Sequence, residues 1–190
     1  MKNDPQYHQR RSIRLKGYDY SLPGAYFVTM VTYQRVDLLG TIREGEMDLS
    51  PAGKVVMEVW KSLPERYPQV ETGAVVVMPN HFHGIVILGE GGAIHELPQR
   101  GLPQRGLPEG EINARMERRR MRLPLVVGYL KMNSAKRINE IMGTQGTPVW
   151  QRNYYEHIIR NEEEYQRIQA YIESNPVHWS DDEENSARQA

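Results

Sequence analysis

The chain of 190 residues has no cysteine at all. That removes disulfides, thiolate metal sites and cysteine nucleophiles together, so any metal must sit on imidazole, carboxylate or amide groups. Long apolar runs are missing too. The longest, Ala74 to Met78 and Ile85 to Leu88, fall far short of the roughly 20 residues that cross a bilayer. The first residues, MKNDPQYHQRR, have no apolar stretch behind them and do not read as a signal peptide, so a cytoplasmic, nucleoid-associated location with no membrane partner is expected. Phenylalanine is scarce, with two residues against eleven tyrosines. A net charge is also lacking, since 24 Lys and Arg balance 24 Asp and Glu. A zero net charge would ordinarily argue against a nucleic-acid partner.

The balance conceals a segregation. Residues 1–20 hold Lys2, Arg10, Arg11, Arg14 and Lys16 against Asp4 and Asp19. Residues 111–137 hold Arg115, Arg118, Arg119, Arg120, Arg122, Lys131, Lys136 and Arg137 against Glu111 and Glu117. The end of the chain reverses sign, with Glu162, Glu163, Glu164, Asp181, Asp182, Glu183 and Glu184 prominent. Two basic stretches and an acidic end suit a protein that grips phosphate on one face, and equally suit solvated helix faces with a loose tail.

Local patterns divide the chain. Residues 1–23 read as a basic arm leading into one domain over 24–178. Ala25 to Tyr33, AYFVTMVTY, is β-branched and aromatic and predicts a strand. Gly40 to Ser50 predicts a short ribbon. Ser50 and Pro51 then read as the cap and first position of a helix to about Arg66, with Val55, Val56, Val59, Trp60 and Leu63 at helical spacing. Val70 to Met78 and His81 to Leu88 are two strands hairpinned through Pro79 and Asn80. Residues 89–112 contain LPQRG twice in succession and read as a flexible insertion. A helix from about Leu125 to Gly143, a strand over Val149 to Ile159, and a last helix capped by Asn161 and ending near Ser174 complete the domain. Residues 179–190 read as an acidic, disordered tail. The order of elements predicts an α+β fold: a ferredoxin-like antiparallel sheet with helices packed on one face.

His81-Phe82-His83 is the sharpest local feature. On a strand the two imidazoles share one face while Phe82 points the other way, into the core. They are half of a metal site and need another element for the rest; a pair of ordinary hydrogen-bonded histidines is the competing reading. In the last helix Tyr171 and Asn175 lie four apart and share a face. Tyrosine is a known covalent nucleophile, yet one spaced with Ile168 and Ile172 also reads as core.

The string VVMPNHFHGIV at 76–86, with VWQRNYYEHIIRNEEEYQRIQAYIESNP downstream, resembles the single-tyrosine HUH transposases. Within them the chain is most similar to the REP-associated tyrosine transposases, whose N-terminal segment resembles RRSIRLKGYDYSLPGAYFVT here. The likeness covers roughly 10–90 and 125–178. It implies an HUH endonuclease fold, with Tyr171 as catalytic nucleophile and His81, His83 and Asn175 as ligands of Mg²⁺ or Mn²⁺; insertion-sequence relatives often have Gln where Asn175 stands. It further implies cleavage and rejoining of single-stranded DNA beside a hairpin through a 5′-phosphotyrosine link, by a monomer or a homodimer. Arg10, Arg11, Arg14 and Lys16, and Arg118, Arg119, Arg120 and Arg122, would then contact DNA. His157 reads as structural, or alternatively as a support behind the ligands or a proton-transfer group. Two other functions fit the same residues: a metal-dependent phosphodiesterase with a structural Tyr171, and a catalytically silent hairpin-DNA-binding protein.

Overall fold

A computed structural model describes residues 19–89, 121–182, 184 and 185. The chain runs β1 (Gly24–Val31), β2 (Gly40–Arg43), β3 (Glu46–Leu49), α1 (Pro51–Lys61), α2 (Leu63–Arg66), β4 (Val70–Val77), β5 (His81–Leu88), α3 (Arg122–Met142), β6 (Tyr155–Ile159) and α4 (Glu162–Ser174). Short 3₁₀ turns lie at Tyr33–Arg35 and Trp179–Asp181. Four strands form an antiparallel sheet in the order β4-β5-β1-β6, and β2 pairs with β3 as a separate ribbon. The fold is α+β with ferredoxin-like strand order, as the sequence pattern predicts.

Alternation along β1 and β5 divides the apolar side chains between two layers. Tyr26, Val28 and Met30 of β1, with Phe82, Val86 and Leu88 of β5, face α1 and α3. There they meet Val55, Val56, Val59 and Trp60 of α1 and Leu123, Val126, Val127, Leu130 and Ile138 of α3. Each such side chain, once buried, contributes about 1.5–3 kcal/mol relative to exposure. Trp60 lies 5.1 Å from Phe82, ring centre to ring centre. Gly84 is required there, because a Cβ at that position would fall 2.8 Å from atoms of both rings.

The other sheet face carries a smaller layer of Phe27, Ile85, Ile159 and Ile172, flanked by Val76, Tyr165 and Ile168. This layer belongs to α4. The packing of helices on one face therefore describes α1 and α3, while α4 takes the opposite face. That face is also the one on which His81 and His83 stand, since Phe82 between them is in the main core. Close approach of α4 to β4 is allowed by Gly73, whose missing Cβ would lie 2.8 Å from the Tyr165 hydroxyl and 3.1 Å from Ile85 Cβ.

Capping explains the helix starts. Ser50 Oγ accepts from the Gly53 amide at 3.1 Å and donates to the Leu38 carbonyl at 2.8 Å, with Pro51 in the first turn. Asn161 Oδ1 accepts from the Glu164 amide at 2.8 Å. The reciprocal bond of a capping box is displaced by one residue: Glu164 accepts from the amide of Arg160 at 2.8 Å rather than from that of Asn161. Helix α3 ends at Gly143, which adopts the left-handed φ of 66° that glycine tolerates.

Two predicted boundaries change. The strand expected over Val149 to Ile159 is confined to Tyr155–Ile159 in the sheet, preceded by a lone bridge between Thr32 and Trp150. The reason is Lys131, whose half-buried ammonium donates to the carbonyls of Gln151, Arg152 and Asn153 at 2.6, 3.0 and 3.3 Å. Carbonyls gathered on one ammonium do not point along a ladder. The tail expected to be disordered over 179–190 is ordered at 179–182, 184 and 185, while 183 and 186–190 lie outside the described residues. Trp179–Asp181 forms a turn, and Asp182, Glu184 and Asn185 pack onto the domain. The LPQRG copies lie outside the described residues.

Candidate metal and nucleophile site

Strand β5 begins at the two histidines directly after the Pro79-Asn80 turn, which is closed by the Met78 amide donating to the His81 carbonyl at 2.8 Å. His81 is fully buried and His83 nearly so. Their rings are 4.5 Å apart.

Hydrogen bonds set the tautomers. Asn80 donates through Nδ2 to the carbonyls of Glu184 at 2.7 Å and Arg35 at 3.3 Å. Carbonyls only accept, so the amide orientation is determined and Asn80 Oδ1 faces His81 Nδ1 at 3.0 Å. His81 therefore carries its proton on Nδ1 and keeps a lone pair on Nε2. His83 Nδ1 meets Thr29 Oγ1 at 2.8 Å. Its Nε2 lies 3.4 Å from the Tyr171 hydroxyl, which can donate to it.

Asp182, in the segment after α4, closes the cluster. Asp182 Oδ2 lies 3.9 Å from His81 Nε2 and accepts from Asn175 Nδ2 at 3.2 Å. Ligand atoms of His81, His83 and Asp182 all lie within 4.8 Å of one another. His81 Nε2 and Asn175 Oδ1 are buried with no hydrogen-bond partner. Two buried lone pairs left this way are costly in an ion-free protein, and a divalent cation satisfies both. The residues present thus fit a metal, which His81, His83 and Asp182 could hold, with the Asn175 amide oxygen beside them.

Burial holds both imidazoles neutral. His81 is lowered to about 4, chiefly by burial, with Arg35 adding to the effect and Asp182 and Asn175 opposing it. His83 is held well below the usual histidine range by burial and by the adjacent His81. Neutral imidazole is the form that ligates.

Tyr171 reaches this cluster from α4. Its ring stands edge-on to Phe27 at 6.1 Å and 79°, and the residue is 46% exposed. The phenol is thus anchored on one side and open on the other. Tyr171 and Asn175 share a helix face as predicted, and that face meets the histidines.

Other expected residues fall elsewhere. His157 Nε2 pairs with Glu164 Oε1 at 2.8 Å, pinning the start of α4 to β6. Arg122 is a correction: it is buried, and its guanidinium donates to the carbonyls of Gly89 at 2.8 Å, Ser21 at 3.4 Å and Gln69 at 3.4 Å. A guanidinium committed to three carbonyls in the interior is not offered to a phosphate. Arg10, Arg11, Arg14, Lys16, Arg118, Arg119 and Arg120 lie outside the described residues. Asp182 and Thr29 were not among the expected site residues. Asp182 sits in an acidic run that reads as solvated charge; the available signal was Trp179, an aromatic within that polar stretch, which packs 5.8 Å from the His81 ring.

No protein-family model matches the chain. It is 38% identical over 188 residues to an uncharacterized protein of Haemophilus influenzae, covering 93% of both chains. The solved structure of the REP-associated tyrosine transposase bound to a REP hairpin overlays with a TM-score of 0.54 at 21% identity, over 86% of this chain and 72% of that one. A second solved structure, from Deinococcus radiodurans, gives a TM-score of 0.44 at 19% identity over 84% and 95% of the two chains, too distant to carry the comparison further. The chain belongs to the same family as the Haemophilus influenzae protein, and it has the fold of the REP-associated tyrosine transposase.

Proposed function

We propose that this protein is a DNA transposase that cleaves and rejoins single-stranded DNA beside a hairpin, with Tyr171 as nucleophile. The observation that carries the reading is the Tyr171 hydroxyl 3.4 Å from His83 Nε2, at the edge of a buried set of ligand atoms suited to a cation. In the reaction Tyr171 Oη bonds to phosphorus and the bond from phosphorus to the 3′-oxygen breaks. The phenol loses its proton, and the departing strand end takes one up as a free 3′-hydroxyl. The 5′-phosphotyrosine keeps the energy of the broken ester, so another 3′-hydroxyl can reverse the step without ATP.

His81, His83, Asn175 and Asp182 would hold Mg²⁺ or Mn²⁺, the mixed nitrogen and oxygen set being the more comfortable for Mn²⁺. A bound divalent cation supplies charge against a nonbridging phosphate oxygen. The protein's own part is placement. Thr29 and Asn80 orient the imidazoles, Phe27 steadies the tyrosine ring, and α4 carries Tyr171 and Asn175 to one spot. Because Tyr171 and His83 meet within one chain, the site does not require a second copy. Hairpin DNA as partner is supported by the solved relative of the same fold, which was bound to a REP hairpin. Arg10, Arg11, Arg14 and Lys16, with Arg118, Arg119 and Arg120, are proposed to grip its backbone.

Incubation with hairpin oligonucleotides carrying single-stranded flanks, in Mn²⁺, should yield an SDS-resistant adduct that Tyr171→Phe abolishes. Metal-dependent cleavage surviving Tyr171→Phe with no adduct would point to a phosphodiesterase. Hairpin binding with no metal-dependent nicking would point to a silent binding protein.

A further inference from the structure

We infer that the ring of Tyr155 is a stacking platform for a nucleobase within two nucleotides of the scissile phosphate, making it a positioning residue; this rests on the transposase reading. Tyr155 pairs with Thr29 across β6 and β1, and Thr29 pairs with His83 across β1 and β5. The three residues form one row on the sheet face that carries Tyr171. With neighbouring strands about 4.8 Å apart, Tyr155 stands roughly 10 Å from His83 along that row, a gap that a short stretch of extended single strand bridges.

The packing leaves Tyr155 open for this. Helix α4 lies over β4 and β5, and on β6 the covered residue of this face is Ile159, in the layer beneath α4. At the other end of β6, Tyr155 is 39% exposed. Its ring is edge-on to Phe27 at 6.3 Å and 69°, and Phe27 in turn supports Tyr171 at 6.1 Å and stacks on His83 at 5.2 Å. One buried phenylalanine thus relates the nucleophile, a metal-site histidine and an exposed aromatic face. The approach to Tyr155 is stiffened by Lys131, which gathers the carbonyls of Gln151, Arg152 and Asn153 just before it. A rigid, half-exposed aromatic beside a strand-cleaving tyrosine offers the π-face on which any base can stack.

The test is a coupling experiment with single abasic substitutions at the two positions on each side of the cleaved bond. In the wild type, one of them should raise the KM for adduct formation about tenfold, as loss of one base–aromatic stack does. Tyr155→Ala and Tyr155→Leu should raise KM by a similar factor while adduct yield at saturating DNA is retained, and Tyr155→Phe should match the wild type. In Tyr155→Ala the sensitive abasic position should cost nothing further. Leu performing as well as Phe, or the abasic penalty persisting in full in Tyr155→Ala, would overturn the inference. If the wild type forms no adduct, the transposase reading falls. The same cycle, read as fluorescence anisotropy with abasic positions scanned along the single-stranded flank, then judges Tyr155 separately: coupling supports the platform and its absence refutes it.

Discussion

The carboxylate of Asp182 lies 3.9 Å from Nε2 of His81, so the segment that follows α4 is folded back onto the start of β5. The contact turns a strand's histidine pair and a helix's amide into one enclosed set of ligand atoms. It predicts that Asp182→Ala weakens binding of Mn²⁺ by at least about tenfold, a loss of about 1.4 kcal/mol, measured by calorimetric titration. Asn175→Ala should weaken it as well. An unchanged affinity in Asp182→Ala would remove the carboxylate from the ligand set.

Acid should act on the buried histidines. His81 is lowered to about 4, and His83 is likewise held well below its usual range, against about 6.5 in the unfolded chain. Between these values the unfolded state binds more protons, so metal-free stability is full above about pH 6.5 and falls as pH drops toward 4. His81 alone accounts for about 3 kcal/mol of that loss at the lower end. Urea midpoints at pH 7.5 and 5 should show the decline. Neutral ligands also mean that Mn²⁺ affinity should change little between pH 7.5 and 6, whereas a loss centred near pH 6.5 would show that burial does not hold the imidazoles neutral.

Arg122→Ala should cost stability rather than DNA affinity. It removes hydrogen bonds from a buried cation to the carbonyls of Gly89, Ser21 and Gln69, each bond of this kind contributing about 1.5–3 kcal/mol. A drop in the unfolding midpoint with unaltered hairpin affinity of the folded fraction is expected. The opposite pattern would restore Arg122 to the DNA surface.

Gly73→Ala should lift α4. The added Cβ meets the Tyr165 hydroxyl and, less forgivingly, Ile85 Cβ at 3.1 Å. Overpacking of this kind costs about 1–3 kcal/mol. Because α4 carries both Tyr171 and Asn175, metal affinity should fall along with the unfolding midpoint. A lower midpoint with unchanged Mn²⁺ binding would mean that the helix yields elsewhere.

Much of the architecture was written in local pattern. The alternation around His81-Phe82-His83 placed two imidazoles on one face, and the strand from His81 to Leu88 forms as read, because a two-residue period leaves no other choice on a half-buried sheet. Ser50 and Asn161 cap their helices because short polar side chains satisfy free amides wherever the chain turns into a helix. The strand over Val149 to Ile159 was misread in its first half because Lys131, on another element, gathers its carbonyls; no window of β6 contains that information.

What the amino-acid order determined by itself is therefore the inventory: strands, helices, a histidine pair, and a tyrosine with an asparagine one turn later. Those features depend on interactions within a few residues, where spacing is geometry. Which face α4 would cover, that Arg122 would be spent on interior carbonyls, and that Asp182 would return to His81 were decided only by tertiary packing. Each depends on distant segments competing for the same buried volume and the same lone pairs. Charge runs look alike in sequence whether water or an imidazole waits at the other end.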